Sequence, residues 1–135
     1  RVQAMYRIIG EMESMGDSGY NIVRILRRKN MHNRHLDTGM TGNINRMLDL
    51  VGKAVEIMRS NLEKDYGSVK EISGAQEAEK SINTFRDQLK ELHIRSIEEG
   101  EEDYLLGVYY TDIIYECEKI GDYIINVSEA IVEIY

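Results

Sequence analysis

The sequence I-I-Y-E-C-E-K-I-G-D-Y-I-I-N-V at residues 113–127 closely repeats I-I-G-E-M-E-S-M-G-D-S-G-Y-N-I at residues 8–22, with every shared residue at one constant offset. The shared pattern is I-I-x-E-x-E-x-x-G-D-x-x-x-N followed by Ile or Val. Apolar positions recur in many helical proteins because burial demands them, whereas Glu, Gly, Asp and Asn do not recur in a fixed order for that reason. The repetition therefore indicates a duplicated unit that carries a duplicated polar site.

Composition favours one domain of long helices. The chain has 135 residues, no Pro, no Trp and one Phe, and 30% of its residues are charged. These values are typical of a helical protein with little turn-rich or β structure. The net charge of −7 argues against a general nucleic-acid binder, which needs a basic face.

The cellular setting can also be inferred from the sequence. A single cysteine, Cys117, cannot form an internal disulfide, which favours a reducing compartment. No apolar run approaches the ~18 residues of a membrane span. The chain begins at Arg1, already inside an apolar-periodic segment, so we expect it to be a piece of a longer protein that has room for membrane segments elsewhere.

Periodic apolar positions predict four helices separated by three breaks. The predicted helices run from Val2 to Lys29, from Ile44 to Lys64, from Val69 to Ile97 and from Glu101 to Tyr135. Long helices joined by short turns pack as antiparallel neighbours. The predicted fold class is therefore all-α, an antiparallel bundle of four long helices.

Each copy of the phrase places polar side chains in one stripe of its helix, because residues four apart share a face. The two stripes are Glu13, Asp17 and Asn21, and Glu118, Asp122 and Asn126, whereas Glu11 and Glu116 point elsewhere. Carboxylates one turn apart repel, and a glycine inside a helix costs about 1 kcal/mol relative to alanine. A bound hard cation would offset both costs. A solvated helix face, with Gly16 and Gly121 as helix-crossing points, is the alternative interpretation.

A related fragment lies on the third predicted helix, where Glu79 and Asn83 have the same four-residue spacing. If this helix neighbours the last one, Glu79 and Asn83 would complete an oxygen cage with Glu118 and Asp122. Because Asn83 offers only a neutral carbonyl oxygen, we expect this cage to hold a cation more weakly than one made of carboxylates alone. No E-x-x-H pair is present, which argues against a ferritin-like di-iron oxidase.

The two E-x-x-G-D phrases and the E-x-x-I-N fragment resemble the PhoU family. The segment from Leu92 to Gly100 and Tyr110-Thr111-Asp112-Ile113 resemble the version found at the C-terminus of bacterial sodium/phosphate cotransporters. The resemblance implies tandem three-helix repeats, with residues 36–135 as one complete repeat and residues 1–35 as the last helix and following loop of a truncated one. It also implies a divalent metal or an iron cluster. The implied ligands are Glu118, Asp122, Glu79 and Asn83, with Glu13 and Asp17 awaiting partners from other helices.

The resemblance leads us to expect a regulatory domain without catalytic activity, on the cytoplasmic face of the inner or plasma membrane. The expected partners are the transmembrane transport domain of the same chain, a second copy in a homodimer, and phosphate or a metal ion, with no nucleic acid. Three alternatives are left open: a stand-alone PhoU-type regulator of phosphate uptake, a metal-dependent enzyme on a helical bundle, and a purely structural dimerisation module.

Overall fold

The computed structural model describes residues 2–65, 67–100 and 103–133. Four α-helices account for most of them: α1 (Val2–Met31), α2 (Thr38–Leu62), α3 (Ser73–Glu98) and α4 (Tyr104–Glu133). The described residues contain no β-strand. The predicted all-α fold class is therefore confirmed.

Helix α4 lies at the centre of the molecule. Helices α2, α3 and α4 pack against one another, whereas α1 packs only against α4 among the described helices. Because neighbours cover α4 on two sides, its apolar residues are buried around most of its circumference, as Ile113, Cys117 and Val127 illustrate. The bundle is thus a three-helix unit with α1 added on the far side of α4.

Helices α1 and α4 run antiparallel along most of their length. Arg7, near the start of α1, forms ion pairs with Glu129 and Glu133 near the end of α4. Beyond the other end of α1, the His32 ring nitrogen Nδ1 lies 2.6 Å from the Tyr109 hydroxyl. The predicted antiparallel packing therefore holds for this pair.

The loop between α1 and α2 is shorter than the sequence pattern predicts. We expected a loop over residues 30–43, but α1 continues to Met31 and α2 begins at Thr38. The Asp37 carboxylate accepts a hydrogen bond of 2.8 Å from the Met40 amide and so caps the first turn. Two glycines in this stretch suggested a loop, but the cap overrides their weak helix preference.

The other two predicted helix starts lie too early in the chain. Helix α3 begins at Ser73 rather than Val69, and Val69 is buried in the core as part of the preceding connection. Helix α4 begins at Tyr104, where the Asp103 carboxylate accepts a hydrogen bond of 3.2 Å from the Leu106 amide. The predicted helical positions 101–102 and 134–135 lie outside the described residues, as does Tyr66 in the predicted break.

One face of α1 is left uncovered. Ile8 and Ile22 are buried against α4, whereas Ile9, Met12 and Val23 on the adjoining face are exposed. The broad apolar face expected for this helix is therefore only partly used. Within the part of the chain that the structure describes, no helix combines the length and apolar character needed to cross a membrane.

Candidate functional site

The polar stripe of the second phrase faces helix α3. Ile82 of α3 packs into the space beside Gly121, and a Cβ atom built at Gly121 would lie 3.2 Å from the Ile82 Cδ1 atom. Glu79 and Asn83 flank Ile82 on α3. Because Ile82 contacts Gly121, they lie beside the stripe that contains Glu118 and Asp122. The structure thus brings together the four side chains that the sequence grouped on these two helices.

The charge of Asp122 acts on the carboxyl group of Glu79 across this contact. Burial raises the pKa of Glu79, and the negative charge of Asp122 raises it further, although a hydrogen bond of 3.4 Å from the Asn83 amide works the other way. Burial also raises the pKa of Asp122, and the charge of Glu118 adds to this rise. The positive charge of Arg86 partly offsets this rise in the pKa of Asp122.

Arg86 also belongs to this site, although the sequence pattern did not predict it. Its guanidinium forms an ion pair with Glu118 and a second one, of 2.9 Å, with Asp87. Burial works against the charged guanidinium, but the hydrogen bonds and charges of Asp87 and Glu118 outweigh it and raise the pKa of Arg86. The signal was available, because Arg86 lies seven residues after Glu79 and so on the same face of the helix.

One oxygen of the site has no donor. The Asn83 Oδ1 atom is buried and accepts no hydrogen bond. A buried acceptor without a donor costs free energy, and a cation with oxygen ligands would satisfy it. The described part of the chain nevertheless contains no three His, Cys, Asp or Glu side chains arranged closely enough to hold a metal ion. The side chains are therefore neighbours of the right chemical type, and Glu118 is engaged by Arg86.

The first copy of the phrase has different surroundings. Glu13 and Asp17 are exposed on α1, and α4 is the only one of the described helices that contacts α1. A Cβ atom at Gly16 would meet nothing within 4 Å. Among the described residues no second helix therefore supplies oxygen atoms to Glu13 and Asp17. Gly16 also makes no close helix crossing there, unlike Gly121.

The remaining polar residues of the two phrases bind each other. The Asn21 amide donates to the Glu116 carboxylate over 3.5 Å, and the Asn126 amide donates to the Glu11 carboxylate over 3.3 Å. Each copy thus uses its Asn to contact the Glu of the other copy, which relates α1 and α4 by an approximate two-fold axis. These four residues join the copies, whereas the sequence had placed the two asparagines in the acidic stripes.

Comparison with known proteins gives one match. The sequence model of the PhoU domain family matches residues 44–131, which span most of α2, all of α3 and most of α4. No curated protein and no solved structure matches the chain. The matched residues include the whole group of Glu79, Asn83, Glu118 and Asp122. The match extends over more than half of the chain, and the chain belongs to the PhoU domain family.

Proposed function

We propose that this chain is the cytoplasmic regulatory domain of a sodium-dependent phosphate cotransporter and modulates phosphate uptake without catalysing a reaction. Membership of the PhoU domain family, a family of regulatory helical domains of phosphate uptake, supports the general role. The resemblance of the segment from Leu92 to Gly100 to cotransporter-linked members supports the specific setting. The proposed partner is the transport domain of the same protein, on the cytoplasmic side of the membrane.

The proposed regulatory input is a cation at the contact of α3 and α4. Glu79, Asn83, Glu118 and Asp122 would hold it, and the observation that carries this proposal is the buried Asn83 Oδ1 atom that lacks a donor. A bound cation would supply positive charge beside carboxyl groups whose pKa values are raised by burial and by each other. Glu118 would have to leave Arg86 to join the ligand set, so cation binding would release the guanidinium from Glu118 and leave it paired with Asp87.

Release of Arg86 gives the site a means of changing the surface of the domain. The side chains of Arg86 and Glu118 are each about one quarter exposed, at 23%. A freed guanidinium at this position would add a positive group to the α3–α4 surface, where it could pair with an acidic group of the transport domain. Docking on the transport domain, or on a second copy, would then depend on cation occupancy.

A tandem arrangement of repeats is the second part of the proposal. Residues 36–135 would form a complete three-helix repeat, and residues 1–35 would contribute the last helix of a preceding one. The uncovered apolar face of α1 supports this, since the equivalent face of α4 is covered by α2 and α3. Glu13 and Asp17 would then obtain their partner oxygens from a helix equivalent to α3.

The decisive experiment combines metal binding with transport. We expect the double variant E118A/D122A to lose manganese binding in calorimetric titration and to alter phosphate uptake by cells that carry the full protein. The matched control E56A/E63A removes two exposed carboxylates, one in α2 and one just after its C-terminal end, and should change neither. If E118A/D122A folds normally and both its metal binding and its phosphate uptake equal those of the unmodified protein, the proposal is wrong.

A further inference from the structure

A cleft of about 340 Å³ opens between α1 and α4. Its polar lining comprises Asn21, Arg24 and Arg28 from α1 and Asp112 and Glu116 from α4. This volume is at the lower end of the range for small-molecule sites. The cleft contains none of the proposed metal ligands, so its function is argued separately.

Glu116 lines this cleft, and one of its carboxylate oxygens is unsatisfied. Its Oε1 atom accepts hydrogen bonds from Asn21 Nδ2 at 3.5 Å and from Lys119 Nζ at 3.1 Å. Its Oε2 atom is buried and has no donor, and the residue as a whole is only 8% exposed. Buried carboxylate oxygens are normally hydrogen-bonded because their desolvation is costly. The Glu116 Oε2 atom therefore lacks a hydrogen-bond donor.

The same cleft has an excess of unused donors on α1. Arg24 and Arg28 form no ion pair with any residue that the structure describes, and the guanidinium of Arg24 lies 5.9 Å above the Tyr20 ring. Each guanidinium carries five N–H donors in a planar fork that matches oxyanions. A ligand that fits must therefore accept several hydrogen bonds on one side and donate one on the other.

At the opposite end of the α1–α4 contact, the equivalent charged side chains are paired. By the two-fold relation, Arg24 and Arg28 correspond to Glu129 and Glu133, and Asp112 corresponds to Arg7. At that end the charges are reversed and satisfied, because Arg7 pairs with Glu129 at 3.3 Å and with Glu133 at 3.1 Å. At the other end, Arg24 and Arg28 form no ion pair with a described residue, and the cleft lies beside them.

We propose that the cleft binds a phosphate group that retains one proton, as inorganic phosphate or as a small phosphomonoester. Its charged oxygens would accept from Arg24 and Arg28, and its P–OH group would donate to Glu116 Oε2. Phosphate esters lose this proton with a pKa of about 6, whereas sulfate has none to donate. The carboxylate thus gives the site a means of distinguishing phosphate from sulfate.

The test is a titration of the isotope-labelled protein at pH 6, followed by NMR of the arginine side-chain N–H groups. Inorganic phosphate, glycerol phosphate and sulfate are added in separate experiments. We expect phosphate or its ester to shift the Arg24 and Arg28 signals and sulfate to leave them unchanged. Stronger binding of one of the first two identifies the source of the phosphate group. R24A and R28A should each weaken binding about tenfold, whereas R7A should have no effect.

The E116Q variant tests the role of the carboxylate. Asn21 and Lys119 both donate to the Oε1 position, so the glutamine oxygen should take that position and its NH2 group the position of Oε2. This change replaces an acceptor by a donor, and we expect sulfate to bind E116Q at least as tightly as phosphate does. Equal binding of sulfate and phosphate by the unmodified protein would overturn the proposal. So would signal shifts produced by magnesium chloride and not by sodium phosphate.

Discussion

Gly16 and Gly121 occupy the same place in the two copies of the repeated phrase but have different neighbours. Gly121 is buried and the Ile82 side chain fills the space where its Cβ would lie, whereas Gly16 is exposed with nothing within 4 Å of that space. From the sequence alone, both glycines are expected to have the same role. In the structure only Gly121 permits a close contact between helices.

This difference predicts opposite outcomes for one substitution at two positions. G16A should stabilise the protein by about 1 kcal/mol, because alanine is the better helix former and meets no neighbour. G121A gains the same helix preference but forces Ile82 to move away from a 3.2 Å contact, so it should be less stable than G16A. Urea denaturation measures both free energies of unfolding. Equal stabilisation by the two variants would mean that the Ile82 contact costs nothing to displace.

The raised pKa of Glu79 predicts that the free energy of unfolding depends on pH. Its pKa in the folded protein is raised above the ordinary value of 4.5, so the folded state holds this proton more tightly than the unfolded state. The contribution of Glu79 to stability is therefore full below pH 4.5 and is lost as the pH rises through the raised pKa. We expect E79Q to be more stable than the unmodified protein at pH 7 and to lose that advantage at pH 4.

The control for this prediction is E77Q, which changes an exposed carboxylate on the same helix. Thermal unfolding of both variants at pH 4 and pH 7 separates a local effect of Glu79 from a general effect of charge. A stability difference between E79Q and the unmodified protein that stays constant between these pH values would contradict the prediction.

At the scale of the helix, α1 and α4 share a sequence pattern but differ in how much of it is buried. Met12 takes the place in α1 that Cys117 takes in α4, yet Met12 is 46% exposed and Cys117 is 0% exposed. Burial, with a smaller effect of the Glu116 charge, also raises the pKa of the Cys117 thiol to about 11. The native cysteine should therefore be almost unreactive toward thiol reagents.

The M12C substitution tests the tandem arrangement, because the exposure of residue 12 should depend on whether a preceding repeat covers it. We expect M12C to react rapidly with a disulfide reagent in this chain, while the unmodified protein does not react. In a protein extended by the proposed preceding repeat, M12C should be protected, because helices equivalent to α2 and α3 would cover it. The exposed control S60C on α2 should react in both proteins. Equal reaction of M12C in both would contradict the tandem arrangement.

At the scale of the whole molecule, the repeated phrase produces an approximate two-fold relation with different environments on its two sides. Asn21 and Asn126 hold the copies together through Glu116 and Glu11. Helices α2 and α3 cover only the α4 copy. Equivalent residues therefore have distinct environments, as the carboxylates near Asn83 and the exposed carboxylates of α1 show.

The sequence predicted much of the candidate site but not all of its interactions. Glu79 and Asn83 were assigned to the face of α3 that meets Glu118 and Asp122, because four-residue spacing fixes which side chains share a face. The Arg86–Glu118 ion pair was missed, since spacing along one helix does not give its rotation relative to another. The early start of α2 was missed because one hydrogen bond from the Met40 amide to the Asp37 carboxylate outweighs the composition of the residues that follow Asp37.

The sequence by itself determined the four helices, the duplicated phrase and the membership of the polar stripes, because these depend on periodicity along a single helix. Only the tertiary structure decided which copy gains neighbours and which glycine lies close to a side chain of another helix. It also decided that Glu116 lines a cleft and has a buried oxygen that lacks a donor. Those properties depend on the distances between atoms of different helices. Identical phrases therefore differ once α2 and α3 pack on only one of them.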